Sequence, residues 1–136
     1  MDKIVFITGA SSGIGAGCAR KFASQGASLI LNARNVNKLS ALKEELEKQY
    51  GAKIYLLPFD VRDRKAATSA LESLPKEWQS IDILVNNAGL VIGTDKEQEG
   101  SLDEWDIVID TNIKALLAMT RLIVPGLVDR KRGHII

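Results

Sequence analysis

Ile4-Val5-Phe6-Ile7-Thr8-Gly9-Ala10-Ser11-Ser12-Gly13-Ile14-Gly15 is a short apolar run, a glycine-rich turn and the opening of a helix in direct succession. A continuous Val/Ile/Phe run is how a fully buried strand of a parallel sheet reads. Gly9, Gly13 and Gly15 remove Cβ atoms that would hold a ligand away from the backbone. The helix that follows turns its free N–H groups and positive dipole end toward whatever sits in the turn, and a diphosphate suits such a site. The Walker-type phosphate loop is excluded. It needs a second glycine five positions after the first, followed by Lys and Ser/Thr, and the residue five after Gly9 is Ile14.

Working outward, short apolar runs alternate with helix-periodic segments four times, the pattern of β-α-β units and a parallel sheet. The first helix places Ile14, Cys18, Ala19 and Phe22 at spacings of three and four, and Gly26 ends it. Ser28–Ala33 is the second strand, and Val36, Leu39, Leu42 and Leu46 pattern the helix after it. Lys53–Pro58 is the third strand, and Asp63 caps a helix that packs Ala67, Ala70, Leu71 and Leu74. Asp82–Asn86 is the fourth. Leu90 to Gly100 is a loop with an exposed tip, and Ser101-x-x-Glu104 is a capping box opening a long helix. Trp105, Ile109, Asn112, Leu116 and Ile123 are expected near one face of it, Pro125 kinks or closes it, and Arg130-Lys131-Arg132 complements its dipole. Gly133–Ile136 reads as the start of a fifth strand.

The 136 residues suffice for one domain, which buries on the order of two thirds of its unfolded surface. A composition 46% hydrophobic and 26% charged is that of an ordinary globular chain. Cys18 is the single cysteine, so no internal disulfide is possible and cytoplasm is the expected compartment. Ile4–Ile7 is too short for a signal peptide's apolar core, and no membrane span is expected. The net charge is +1, yet residues 1–43 carry +5 against −4 for the remainder. A positive field around the glycine turn favours a polyanionic small molecule, although a solvated helix face would look the same.

The order Thr8-Gly9-x-x-x-Gly13-x-Gly15 resembles the nucleotide-binding signature of the short-chain dehydrogenase/reductase family, and the resemblance extends over essentially the whole chain. It implies a Rossmann-type doubly wound parallel α/β sheet, apparently truncated at the fifth strand, with residues 1–136 as an incomplete NADP-binding domain. NAD-selective sites of this general kind place an acid about 20 residues past the glycines. No Asp or Glu occurs between Lys3 and Lys43; the position falls at Ala33 and Arg34 stands next in line, with a solvated residue before a helix as the other reading of Arg34. A guanidinium pairs with phosphate, so the cofactor expected is NADP. Asp60-Val61 resembles the family position whose carboxylate meets the adenine amino group, with a simple turn aspartate as the other reading. Asn86-Asn87-Ala88-Gly89 resembles the family motif that steadies the sheet and lines the cofactor cleft. By the same resemblance Asn112, within Thr111-Asn112-Ile113, is the catalytic asparagine of a proton relay, and an amide placed there needs a partner. The cofactor-binding set is therefore Thr8, Gly9, Ser11, Ser12, Gly13, Ile14, Gly15, Arg34, Asp60, Val61, Asn87, Ala88 and Gly89. No metal is expected from one histidine, His134, and one distant cysteine.

The resemblance is greatest to the branch acting on 3-hydroxy acids, such as serine and allo-threonine, with NADP. It implies a small hydroxy acid or alcohol as substrate and a possible homo-oligomer, with neither nucleic acid nor membrane as partner. The family's general base is a Tyr followed four residues later by Lys, but Tyr50 and Tyr55 are followed by Ile54 and Phe59. Two explanations stay open: a piece of a longer oxidoreductase, or a nucleotide-binding module without chemistry. A methyltransferase of related fold is a third, more distant reading.

Overall fold

β1 (Ile4–Ile7) lies in the middle of a five-stranded parallel sheet, because its side chains are wanted on both faces at once. Val5 and Ile7 point into one core and Phe6 into the other, and all three are fully buried. The computed structural model describes all 136 residues. The other strands are β2 (Ser28–Leu31), β3 (Ile54–Leu56), β4 (Ile83–Val85) and β5 (His134–Ile135), in the order β3-β2-β1-β4-β5. Phe6 is in register with Ile30 on one side and Leu84 on the other. The chain builds outward from β1 to β3, then crosses back to begin again at β4. That reversal leaves a crevice at the carboxyl ends of β1 and β4, where open α/β sheets take their ligands. The fold is the Rossmann-type α/β fold expected.

On one face, α1 (Gly13–Ser24) and α2 (Val36–Tyr50) cover Val5, Ile7, Leu29 and Leu31. α1 buries Gly15, Ala16, Ala19 and Ala23, which corrects the stripe expected from its larger residues. The helix lies so close to the sheet that only small residues fit beneath it; Cys18 and Phe22 pack at the margin, and Ile14 is 79% exposed. α2 starts at Asn35, whose side chain accepts from Lys38 N at 3.1 Å, and ends at the left-handed Gly51. Leu39, Leu42 and Leu46 are buried as patterned, while Val36 is exposed.

On the other face, α3 (Arg64–Glu72) and a long helical segment cover Phe6, Ile30 and Leu84. Asp63 caps α3 by accepting from Ala66 N at 3.0 Å. The long segment is not one uniform helix. α4 (Leu102–Ile109) opens at Ser101, continues through a single π turn at Asp110–Lys114, and becomes α5 (Ala115–Asp129). Its buried row is Thr111, Ala115, Met119, Ile123 and Leu127; Trp105, Ile109 and Leu116 are exposed, so of the five residues expected on one face only Ile123 is fully buried. Pro125 does not close the helix, which runs four residues further. The basic residues beyond it make contacts of their own. Arg130 donates to the Ile81 carbonyl, and Arg132 Nε lies 3.2 Å from Asp82 Oδ1. Asp82 is almost fully buried, and its other oxygen accepts from Ile4 N at 2.9 Å. From just past the helix end, Arg130 and Arg132 therefore also secure the start of β4.

Candidate functional site

The turn after β1 is held by mutual contact of small residues. Gly9 has φ +62°, and a Cβ there would come within 2.9 Å of Ala88 Cα and 3.0 Å of Asn87 Nδ2. A Cβ on Gly15 would run into the Gly9 carbonyl, so Gly15 is where the helix rests on the turn. Gly13 has φ +54° with open space around it, so it supplies conformation rather than clearance. Ser12 is the N-cap of α1, yet its side chain makes no capping bond, and the first turn holds no acid. The first N–H groups of α1 thus lack the usual side-chain partner and remain available to an anion.

The turn forms one wall of a cleft of about 890 Å³ at the carboxyl end of the sheet. Gly9, Ser11, Ser12 and Ile14 line it from the turn, and Asn87, Ala88 and Gly89 from the segment after β4. Arg34 lines it at the end of β2 together with Lys38, one helical turn further on, and no carboxylate stands on that segment. Asp60, Val61 and Arg62 complete the wall beyond β3. Arg62 donates to Asp60 from its backbone N (3.0 Å), from Nε (3.2 Å to each oxygen) and from Nη2 (2.8 Å). These side-chain bonds hold the Asp60 carboxyl below the usual carboxylate range against an opposing effect of burial, and the charges of Arg62 and Arg34 add to the lowering.

Thr8, Gly13, Gly15 and Asn112 are not on the cleft wall; they hold it in place. Thr8 is buried, receives Ala88 N on its Oγ1 at 2.9 Å, and bonds its own N to Val85 O at 3.1 Å. Asn87 Nδ2 donates to the carbonyls of Thr8 and Gly9 at 3.2 and 3.0 Å. The two turns at the head of the sheet are thereby tied into one unit. Asn86 donates instead to Thr120 Oγ1 at 2.9 Å, fastening the same segment to α5. Asn112 finds its partner in Leu90. Its Nδ2 donates to the Leu90 carbonyl and its Oδ1 accepts from the Leu90 N–H, both at 2.8 Å. It does so from the π turn, a local widening that costs helix regularity and is often met at functional sites.

Sequence reasoning missed several wall residues. Lys38 stands four after Arg34, a spacing that brings two helical side chains to the same side. Arg62 stands two after Asp60, within reach of a side chain-to-backbone turn. Asn32, fully buried, donates from Nδ2 to the carbonyls of Leu57 and Phe59 at 3.1 Å each, setting the chain after β3. Only its place among apolar neighbours at a strand end could have marked it.

Residues 3–136 match the family model for short chain dehydrogenases. The chain belongs to the short-chain dehydrogenase family. It is 46% identical over 133 residues to an NADP-dependent 3-hydroxy acid dehydrogenase, YdfG, of Escherichia coli strain K12, covering 98% of this chain and 52% of that protein. Among solved structures it is similar to serine dehydrogenase from Escherichia coli, with a TM-score of 0.90 and 45% identity across 97% of this chain and 59% of that one. The L-sorbose reductase of Gluconobacter frateurii, solved with NADPH and L-sorbose, gives a TM-score of 0.91 at 32% identity, over 98% of this chain and 51% of that one. The chain spans about half the length of the curated relatives it matches.

Proposed function

We propose that this chain is the NADP-binding part of an oxidoreductase that interconverts a small hydroxy acid or alcohol and its carbonyl form. The observation that carries the reading is the pairing, on one cleft, of a glycine cradle with two cations and no acid at the end of β2. Relatives described as NADP-dependent or solved with NADPH support it.

The residues present suit such a cofactor. A diphosphate would sit against the turn Gly9–Gly15, where any added Cβ would either collide or strain the backbone. Arg34, with Lys38 beside it, would take the 2′-phosphate by charge-assisted hydrogen bonds. Asp60 would accept from the adenine amino group, and Val61 and the segment Asn87–Gly89 would line the remaining wall. Bound there, the nicotinamide supplies the hydride chemistry. Asn112 spends one donor and one acceptor on Leu90, which leaves its amide a second N–H and a second lone pair. Those suffice to hold a water in a proton relay, the catalytic part assigned to it.

Tyr50 closes α2, and Tyr55 packs against Trp78 with ring centroids 5.6 Å apart; neither lines the cleft. The reaction as proposed therefore takes its general base from chain beyond residue 136. A small hydroxy acid or alcohol and a second copy of the chain are the partners proposed, and cytoplasm the compartment. The test is titration of the full-length protein with NADPH and NADH, followed by turnover of hydroxy acids with NADP⁺. Preferential NADPH binding with turnover supports the reading, binding without turnover favours a non-catalytic module, and equal or absent binding sinks the cofactor assignment.

A further inference from the structure

A second cavity, of about 130 Å³, lies between the start of α3 and the π turn and shares Val61 and Arg62 with the cleft. That is space for about four waters at about 30 Å³ each, or for one oxyanion of five heavy atoms. The buried Val61 and Ala115 give it an apolar part. Its charged lining is Arg62 and Arg64 from the chain entering α3, with Asp110 and Lys114 from the π turn: three cations and one carboxylate. Donors there outnumber acceptors. The Arg64 guanidinium is exposed and has neither a hydrogen bond nor an ion-pair partner. Arg62 engages Asp60 through Nε and Nη2, which leaves Nη1 uncommitted. Lys114 Nζ meets Asp110 Oδ1 at 3.1 Å and keeps the other donors of its ammonium. Of the acids nearby, Asp60 lines the cleft and not this cavity, and Asp63 accepts from Ala66 N as the cap of α3.

A surplus of charged donors calls for a ligand rich in acceptors, and a guanidinium meets such an anion with charge-assisted, often paired, hydrogen bonds. We propose that this cavity is a binding site for a small tetrahedral oxyanion, inorganic phosphate, held by Arg64, Lys114 and the uncommitted Nη1 of Arg62. Such a site is separate from the places proposed for the phosphates of the dinucleotide, at the glycine turn and at Arg34. An ion bound there joins the start of α3 to the π turn that carries Asn112. Asp110 is the opposing charge: it faces the same cavity and occupies part of Lys114, so it sets an upper limit on how tightly the anion is held.

The experiment titrates the full-length protein with sodium phosphate by calorimetry, at an ionic strength held constant with sodium chloride, and records thermal melting alongside. One phosphate should bind per chain with a dissociation constant of about 1 mM or lower, and it should raise the melting temperature where chloride does not. Arg64→Ala removes an exposed side chain and should weaken the ion by about tenfold or more, the size of one lost hydrogen bond between charged groups; Lys114→Ala should do likewise. Asp110→Asn should tighten it by about threefold, because a repelling charge leaves the cavity and Lys114 is released. Arg34→Ala should leave it unchanged. The absence of binding up to about 10 mM phosphate overturns the site, as does binding that survives Arg64→Ala. Loss in Arg34→Ala instead would move the ion into the cleft, and equal weakening by Lys21→Ala, an exposed cation on the far face of the sheet, would reduce it to general attraction; either result removes the site. None of these readouts uses a nucleotide, so failure here and failure of the cofactor assignment are seen separately.

Discussion

The glycine turn and the helical segment Leu102–Asp129 flank the same cleft and are built on opposite terms. In the turn, Gly9, Gly15 and Asn87 touch so closely that an added carbon has nowhere to go. In the helical segment, one row of side chains is buried while Trp105, Ile109, Ile113, Leu116 and Leu117 stay exposed, and the regular winding gives way at the π turn. One region is positioned by backbone contact and the other by side-chain packing on one face only. Damage to the first should therefore register in ligand affinity as well as in stability, and damage to the second in stability alone.

The largest expected effect separates the two sides of the helix. Met119→Ala removes a fully buried side chain and should cost about 2–5 kcal/mol in denaturant titration. Leu117→Ser, two residues away and 61% exposed, should fall within about 0.5 kcal/mol of the parent. Similar losses from both would erase the contrast. On the cleft, Arg34→Asp should leave melting unchanged but lower the NADPH-over-NADH preference by about 1.5–3 kcal/mol, roughly ten- to a hundredfold. Unchanged relative affinities would withdraw Arg34 from the phosphate site.

Two glycines of one helix test the turn. Gly15→Ala drives a Cβ into the Gly9 carbonyl and should cost about 1–3 kcal/mol. Gly17→Ala enters open space and should gain about 0.5–1 kcal/mol; matching signs would show that α1 can move off the turn. The smallest effect is in pH. Asp60 has a lowered carboxyl pKa in the folded protein, so its contribution is fully present above the ordinary carboxylate value near about 4. It disappears as pH falls through the lower folded value. The advantage of the parent over Asp60→Asn should therefore be present at neutral pH, fade in acid, and stay below about 1 kcal/mol for a pair this exposed. An advantage independent of pH would show that the pair contributes no charge-linked stability.

The strands and the turn were legible because backbone rules act locally: an apolar run, a glycine where φ is positive, an Asp or Asn before a helix. The buried face of the long segment was not. It carries apolar residues all round, so periodicity finds a stripe without saying which one the sheet covers; Ala115, Met119 and Leu127 were overlooked beside larger neighbours. α1 shows the same bias toward size, since its buried face is built from Gly and Ala. Arg34 and Asp60 were found by position along the chain. Lys38, Arg62 and Asn32 were not, because their roles depend on a cleft that exists only once three strand ends meet.

The pair of hydrogen bonds between Asn112 and Leu90, 22 positions apart, closes the chain between them into a ring. Closing a flexible ring becomes only about 0.6 kcal/mol harder for each doubling of its length. The exposed stretch from Val91 to Gly100 can therefore grow, shrink or change composition while Gly89 and Leu90 keep their places. The molecule thus has a stretch of chain beside its cleft that is free to diversify, fastened at a point that is not.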